Sequence, residues 1–198
     1  MINNRHSLIR TISFLAICVF LATGCISADP QPKIDPTELL IDLSDMPADW
    51  YALSGNEPSD NYGQEAGAEI WFNVNNPNVL HVAAHRVYEY RNERRAEREF
   101  ERLLSDEFNS SSIASRTPWQ TPAELPYSSL VADQYHFACH VSQINQVVTI
   151  CEALGQYENY IVIFHTHLVS EYMTYGNLES ILLTIDDIMA KNLASGET

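Results

Sequence analysis

Two cysteines, Cys139 and Cys151, constrain this chain more than any other feature. They sit in two strand-like runs, residues 131–140 and 147–154, on either side of a polar turn at 142–146. A hairpin centred on Asn145 places residue 139 directly opposite residue 151. Directly opposed residues carry Cβ atoms about 4.5–5.5 Å apart, only slightly beyond what a disulfide wants. A reactive redox pair and a pair of metal thiolates are the alternatives. The C-x11-C spacing matches neither a C-x-x-C redox motif nor a paired zinc knuckle, so a structural disulfide is expected. The same register assigns faces. His136 and His140 fall on one side of their strand, with Val148, Ile150, Glu152 and Leu154 on that side of the next.

The compartment is written in the first twenty-five residues. Residues 1–10 carry Arg5 and Arg10 and no acid, and residues 11–22 are almost wholly apolar. Such a run is too short for a bilayer core about 30 Å thick, which takes roughly 20 helical residues. It reads as a secretory signal. Leu21-Ala22-Thr23-Gly24-Cys25 resembles the bacterial lipobox, with Ala22 where leucine is commoner. That resemblance implies thioether lipidation of Cys25 and cleavage just before it; an ordinary cleavable signal is the alternative. At least two acyl chains, palmitate among them, give stable anchoring. The expected organisation is a signal peptide at 1–24, a lipidated tether at 25–36 and a globular domain at 37–198. The tether holds Pro30, Pro32 and Pro36 and no periodicity. The anchor at Cys25 puts the protein on the extracytoplasmic side of the cell membrane or outer membrane. Ile26 after the cysteine resembles outer-membrane sorting in a two-membrane cell. Cys18 leaves with the signal, and Cys139 and Cys151 are left where disulfides form.

Charge narrows the partners. The chain has 11 Lys and Arg against 26 Asp and Glu, a formal charge of −15. Loss of the signal removes two arginines and no acid, leaving nine basic residues and a mature charge of −17. A nucleic-acid partner is excluded on this ground, and an anionic lipid surface would repel the domain. The membrane partner is reached through Cys25 alone, leaving an envelope protein or a small ligand for the folded part.

Periodicity predicts a short helix from Pro36 to about Leu43, a polar loop at 54–67, and strands at 68–74 and 79–90. Asn75-Asn76-Pro77-Asn78 joins those strands. An amphipathic helix at 93–108 has Ala96, Phe100, Leu103 and Leu104 as its stripe. A serine-rich stop at 109–115 and an irregular stretch to Pro126 follow. Strands at 131–140, 147–154 and 159–169 come next, the last two meeting at Gly155-Gln156. A final helix at 177–192 buries Leu178, Ile181, Leu182, Ile185, Ile188 and Met189. The order β-β-α-β-β-β-α predicts an α+β domain, helices packed on a mainly antiparallel sheet of about five strands.

Asp45-Met46-Pro47-Ala48-Asp49-Trp50 resembles the D-L-P-x-G-W opening of many secreted bacterial domains, with Asp49 in place of the usual glycine. Lipoproteins and the extracellular sensor domains of bacterial serine/threonine kinases share this opening. An A-x3-F pattern at Ala96 and Phe100, a disulfide in the second half and a terminal helix are also similar. The element order suits a PsbP-like sandwich. What the resemblance implies is a binding, sensing or accessory module without catalysis.

Histidines carry the competing reading. His165 and His167 share a strand face, and H-x-H is a spacing zinc sites use. If both strands present one face, His136, His140, Glu152, His165 and His167 form a candidate metal or ligand site, as in a metal-dependent hydrolase. Solvated or packed strand histidines are the alternative. His81 and His85 share a face with Glu89 in a run that looks extended. Arg91, Arg94, Arg95, Arg98 and Arg102 line one side of the first helix. They read either as a phosphate-facing patch or as a solvated face laced with pairs such as Arg95–Glu99 and Arg98–Glu101. Asp186 and Asp187 point apart on a helix and make no dyad. Trp50, Trp71, Trp119 and ten tyrosines are candidates to line a ligand groove. Motifs for a serine nucleophile, a zincin, a P-loop or a dinucleotide site are missing, and no cofactor is expected.

Overall fold

Each strand-like run becomes a strand, and one further strand joins them. The computed structural model describes residues 34–56, 58, 62–75, 82–108, 116–143 and 147–195. The signal at 1–24, Cys25 and the tether to residue 33 lie outside the described residues, as do 76–81, 109–115 and 144–146.

The sheet is antiparallel throughout. Its strands are β1 (Trp50–Asn56), β2 (Ala66–Val74), β3 (Val82–Glu89), β4 (Gln134–Ser142), β5 (Val148–Tyr157) and β6 (Tyr160–Leu168). Their order is β1-β2-β3-β6-β5-β4. Helix α1 (Glu93–Phe108) follows β3, and α2 (Tyr175–Ser195) follows β6. The two helices cover opposite faces. On one, Leu178, Ile181, Ile185 and Met189 of α2 join Phe72, Val87, Val162 and Phe164. On the other, Ala96, Phe100 and Leu103 of α1 pack on Tyr88, Leu154, Ile161 and Ile163. Each aliphatic or phenyl side chain buried this way contributes about 1.5–3 kcal/mol relative to exposure. The α+β class and the layering are those expected from the sequence.

Three details differ from expectation. The sheet has six strands because β1 forms from Trp50–Asn56, a segment with a serine and a glycine that reads as the approach to a loop. Strand β5 runs through Gly155-Gln156 to Tyr157. The reversal falls at Glu158, which adopts φ 52°. Gly155 is needed inside the strand. A Cβ there would meet the Tyr157 ring at 2.6 Å, so glycine lets that ring fold back along the strand. Finally, the expected helix after Pro36 is two 3-10 turns, Pro36–Leu39 and Leu43–Asp45. Asp35 caps the first and an Asp42/Asp45 box closes the second. Leu40 between them is extended. This break drops Ile41 into the core, where its N–H donates to His85 Nδ1 at 3.1 Å.

Cys139 opposes Cys151 in the β4–β5 register, and the two form a disulfide with S–S 2.00 Å. Cross-linking residues twelve apart should contribute roughly 3 kcal/mol through the unfolded chain. Reduction with dithiothreitol is therefore expected to lower the melting temperature by about 10 °C. A Cys139→Ala/Cys151→Ala variant should match the reduced protein in calorimetry.

His85 generates a second expectation. It is fully buried, and burial holds its imidazole down to about 3 from an ordinary 6.5. As pH falls below 6.5 the unfolded chain takes up this proton first. The stabilisation is complete above that value and is lost progressively down to about pH 3. The loss is roughly 5 kcal/mol in total. Urea titrations between pH 7 and pH 4 should show this slope. His85→Asn, which keeps an acceptor for Ile41 without titrating, should flatten it; an unchanged slope would assign the acid sensitivity to other groups.

Candidate functional site

The face beneath α1 carries the polar chemistry. Period-two alternation sends Glu69, Trp71 and Asn73 of β2 to this face, with Ala84 and Arg86 of β3 and His165 and His167 of β6. From β5 and β4 it receives Ile150, Glu152, His136, Ala138 and His140. One transverse row therefore reads Trp71, Ala84, His165, Glu152, Ala138 across five strands. The next reads Asn73, Val82, His167, Ile150, His140.

The strand histidines thus share a face with Glu152, and one pair closes. His165 Nδ1 lies 3.1 Å from Glu152 Oε2. With the carboxylate as acceptor the proton sits on Nδ1, leaving Nε2 as the nitrogen that can meet a ligand. The His165 and His167 rings stand 5.7 Å apart between centroids. His140 lies two strands from His167, with Ile150 between them, roughly 9–10 Å along the sheet.

His140 and His136 are instead packed under an aromatic lid. Trp119 meets His140 edge-on at 4.3 Å, Phe108 meets His136 at 4.3 Å, and the two lid rings touch at 4.9 Å. The Trp119 indole N–H donates to the Glu107 carbonyl at 3.1 Å, which fixes the lid to the end of α1. Burial lowers the pKa of both histidines. For His140, Arg116 and His165 act in the same direction and Glu152 opposes. Among the described residues no three His, Cys, Asp or Glu side chains assemble into a group able to hold a metal ion. The metal-dependent hydrolase reading gains no support from this arrangement.

Beyond the pair, Arg86 lies 5.0 Å over the Trp71 ring and its Nε is 3.4 Å from Glu69 Oε2. Trp71, Arg86 and His165 are half-buried; this end of the face presents an aromatic plane and a guanidinium in contact, with the His165 imidazole on the same face two strands from Trp71 across Ala84. Such a set suits a planar or anionic small ligand better than bond-breaking chemistry. The E-x-W-x-N alternation of β2 was the available signal for Glu69, Trp71 and Asn73.

The other candidates find structural roles. His81 lies outside the described residues, and His85 is in the opposite core beside Phe164, with the buried Glu89 on its face. In α1, Glu99 bridges Arg95 at 2.8 Å and Arg102 at 2.7 Å, and Arg102 also reaches Asp106 at 2.7 Å. Arg102 stacks over Tyr62 at 5.0 Å as well. Glu99 is buried and its arginine partners are partly exposed; i,i+3 and i,i+4 pairs of this kind are worth a few tenths of a kcal/mol each. Trp50 is buried and donates to the Tyr172 carbonyl, so the three tryptophans line no common groove.

A second polar cluster escaped the sequence reading. Asp186 is buried while Asp187 is exposed, as their helical spacing requires. Its carboxylate accepts from the hydroxyls of Tyr157 at 2.7 Å, Tyr127 at 2.8 Å and Ser129 at 2.8 Å. Burial and the bonds to Asp186 push the Tyr127 and Tyr157 hydroxyls upward, so all three remain donors. The cluster clasps α2 to β5 and to the segment before β4. The available signal was an acid inside the apolar stripe, one residue after Ile185.

No family model and no curated protein matches the sequence. Among solved structures, the extracellular domain of PknH from Mycobacterium tuberculosis matches with a TM-score of 0.61 at 10% identity. The match covers 82% of this chain and all of that domain. This is a likeness of fold. Among the described residues no helix is long and apolar enough to cross a membrane.

Asp186→Ala should cost roughly 3 kcal/mol, because it strands three donors at once. Asp186→Asn, which keeps one acceptor oxygen, should cost clearly less. Equilibrium denaturation in urea compares the two, and equal losses would deny the hydroxyls their role.

Proposed function

We propose that this protein is a lipid-anchored, non-catalytic binding or sensing domain displayed on the extracytoplasmic side of the membrane. The observation that carries the reading is the fold it shares with the full extracellular domain of PknH. Two independent features support it. The lipobox-like Leu21-Ala22-Thr23-Gly24-Cys25 follows an apolar stretch too short to span a bilayer. The Cys139–Cys151 disulfide suits an oxidising compartment. The ligand meets the half-buried sheet face that carries the Trp71–Arg86 contact and the Glu152–His165 pair.

Metabolic labelling with an alkyne palmitate analogue tests the anchor. The wild-type chain should take up label and sediment with membranes, and external protease should digest it once any outer membrane is permeabilised. Cys25→Ala should lose label and leave the membrane fraction. Label retained by Cys25→Ala would show that the anchor has been misassigned. Protection from protease after permeabilisation would overturn the extracytoplasmic placement.

A further inference from the structure

The two edges of the sheet are treated differently. Along β4, residues 116–120 run as a partial extra strand: Gln120 and Cys139 exchange backbone hydrogen bonds at 2.8 and 2.9 Å, and Arg116 bridges to Ser142. Along β1, no strand among the described residues occupies the outer side. The Asp49 carbonyl accepts from the Asn75 N–H at 2.8 Å. By antiparallel alternation, residues 49, 51 and 53 bond inward to β2, and residues 50 and 52 aim their N–H and C=O groups outward.

Natural sheets usually blunt such an edge with charge, proline or cover. Trp50–Asn56 has neither a charged residue nor a proline. Tyr51, Ala52 and Leu53 are all exposed, Tyr51 by 40% and Leu53 by 42%. Leu43, 44% exposed, belongs to the turn Leu43–Asp45 that packs beside β1. Two large exposed apolar side chains, Tyr51 and Leu53, therefore share one face of an unblunted edge. At its start lie three carboxylates, Asp42, Asp45 and Asp49.

We propose that the outer edge of β1 is a docking edge for an extended segment of a partner protein, apolar at alternate positions and carrying Lys or Arg at the end that meets Asp42, Asp45 and Asp49. Backbone hydrogen bonds to residues 50 and 52 seat the segment, and Tyr51 and Leu53 take its apolar side chains. Charge selects this occupant over a second copy of the chain. A second copy would bring its own three aspartates and a net charge of −15 to the same edge. Tyr51 and Leu53 oppose Asn73 and Trp71 and so border the sheet face assigned to a small ligand; the proposal rests on the outward backbone edge and not on that reading.

The test uses the full chain in detergent and a fluorescent synthetic peptide, Lys-Lys-Thr-Val-Thr-Val-Thr-Val, read by anisotropy. Saturable binding is expected, weakening with added salt and at least about tenfold weaker for the same peptide with Glu in place of Lys. Ala52→Pro removes one outward N–H without touching the β2 ladder and should weaken binding at least about tenfold at an unchanged melting temperature. Leu53→Lys, which leaves the backbone intact, should do the same and serves if the proline variant fails to fold. No saturation by about 1 mM, or equal binding by wild type and both variants, would overturn the proposal. Sedimentation showing a dimer that Leu53→Lys converts to monomer would also overturn it, by assigning the edge to self-pairing.

Discussion

Everything in this fold hangs on the pairing of β3 with β6. The chain makes two antiparallel meanders, β1-β2-β3 and β4-β5-β6, each continued by a helix. Neither three-stranded meander covers both of its faces. The β3–β6 ladder, running from Ala83↔Thr166 to Glu89↔Tyr160, makes them one sheet. It also makes the two cores continuous across the seam: Val87 and Val162 oppose each other under α2, and Tyr88 and Ile161 under α1. These four residues are essentially inaccessible to water. Because the paired segments are distant in sequence, loop-closure entropy must be met before either core is rewarded, and the seam is the natural late event in folding.

Polar groups buried near the seam act as fasteners. His85 lies opposite Phe164 in the ladder, and its Nδ1 holds the Ile41 N–H, so the segment that opens the domain is tied directly over the β3–β6 junction. Neutral imidazole supplies that acceptor, which is why burial of an ionisable ring is tolerated there. Asp186 does the equivalent work on the outer half, joining α2, Tyr157 of β5 and the Tyr127–Ser129 segment through three hydroxyl donors. Gly155 belongs to this device, since only a missing side chain lets the Tyr157 ring lie back toward the carboxylate. A residue that reads as a turn signal in the sequence is thus a packing requirement of a strand.

Strong periodicity is what made most of the fold legible. The amphipathic stripe of α1 and the Cys139/Cys151 register emerged as read, because each is fixed by local spacing and one buried face. Strand β1 was not legible: its seven residues are stabilised by pairing with β2 rather than by their own composition. Alternation alone put His136 and His140 on one face with Glu152 and paired His165 with His167; that the two sets share a face is set by the β5–β6 register. Their failure to converge did not follow from alternation, since Ile150 between His140 and His167, and the Trp119 ring over His140, are set by tertiary register. Asp186 was invisible for the same reason. Its partners are 29 to 59 residues away, and no spacing rule reaches them.

The difference between the two sheet edges follows from how each meander is entered. Before β4 the chain has a long irregular approach, and residues 116–120 can turn back to bond along Cys139 and Ser142 before the strand begins. Before β1 the approach is spent elsewhere. Residues 34–46 are committed to the opposite core, with Leu39, Ile41 and Met46 buried and Ile41 held by His85. Asp49, at φ 71°, then turns the chain straight into the strand. Among the described residues, none of 34–49 folds back along the β1 edge. The fastener that ties Ile41 to the seam is therefore the same constraint that keeps residues 34–46 away from the outer side of β1.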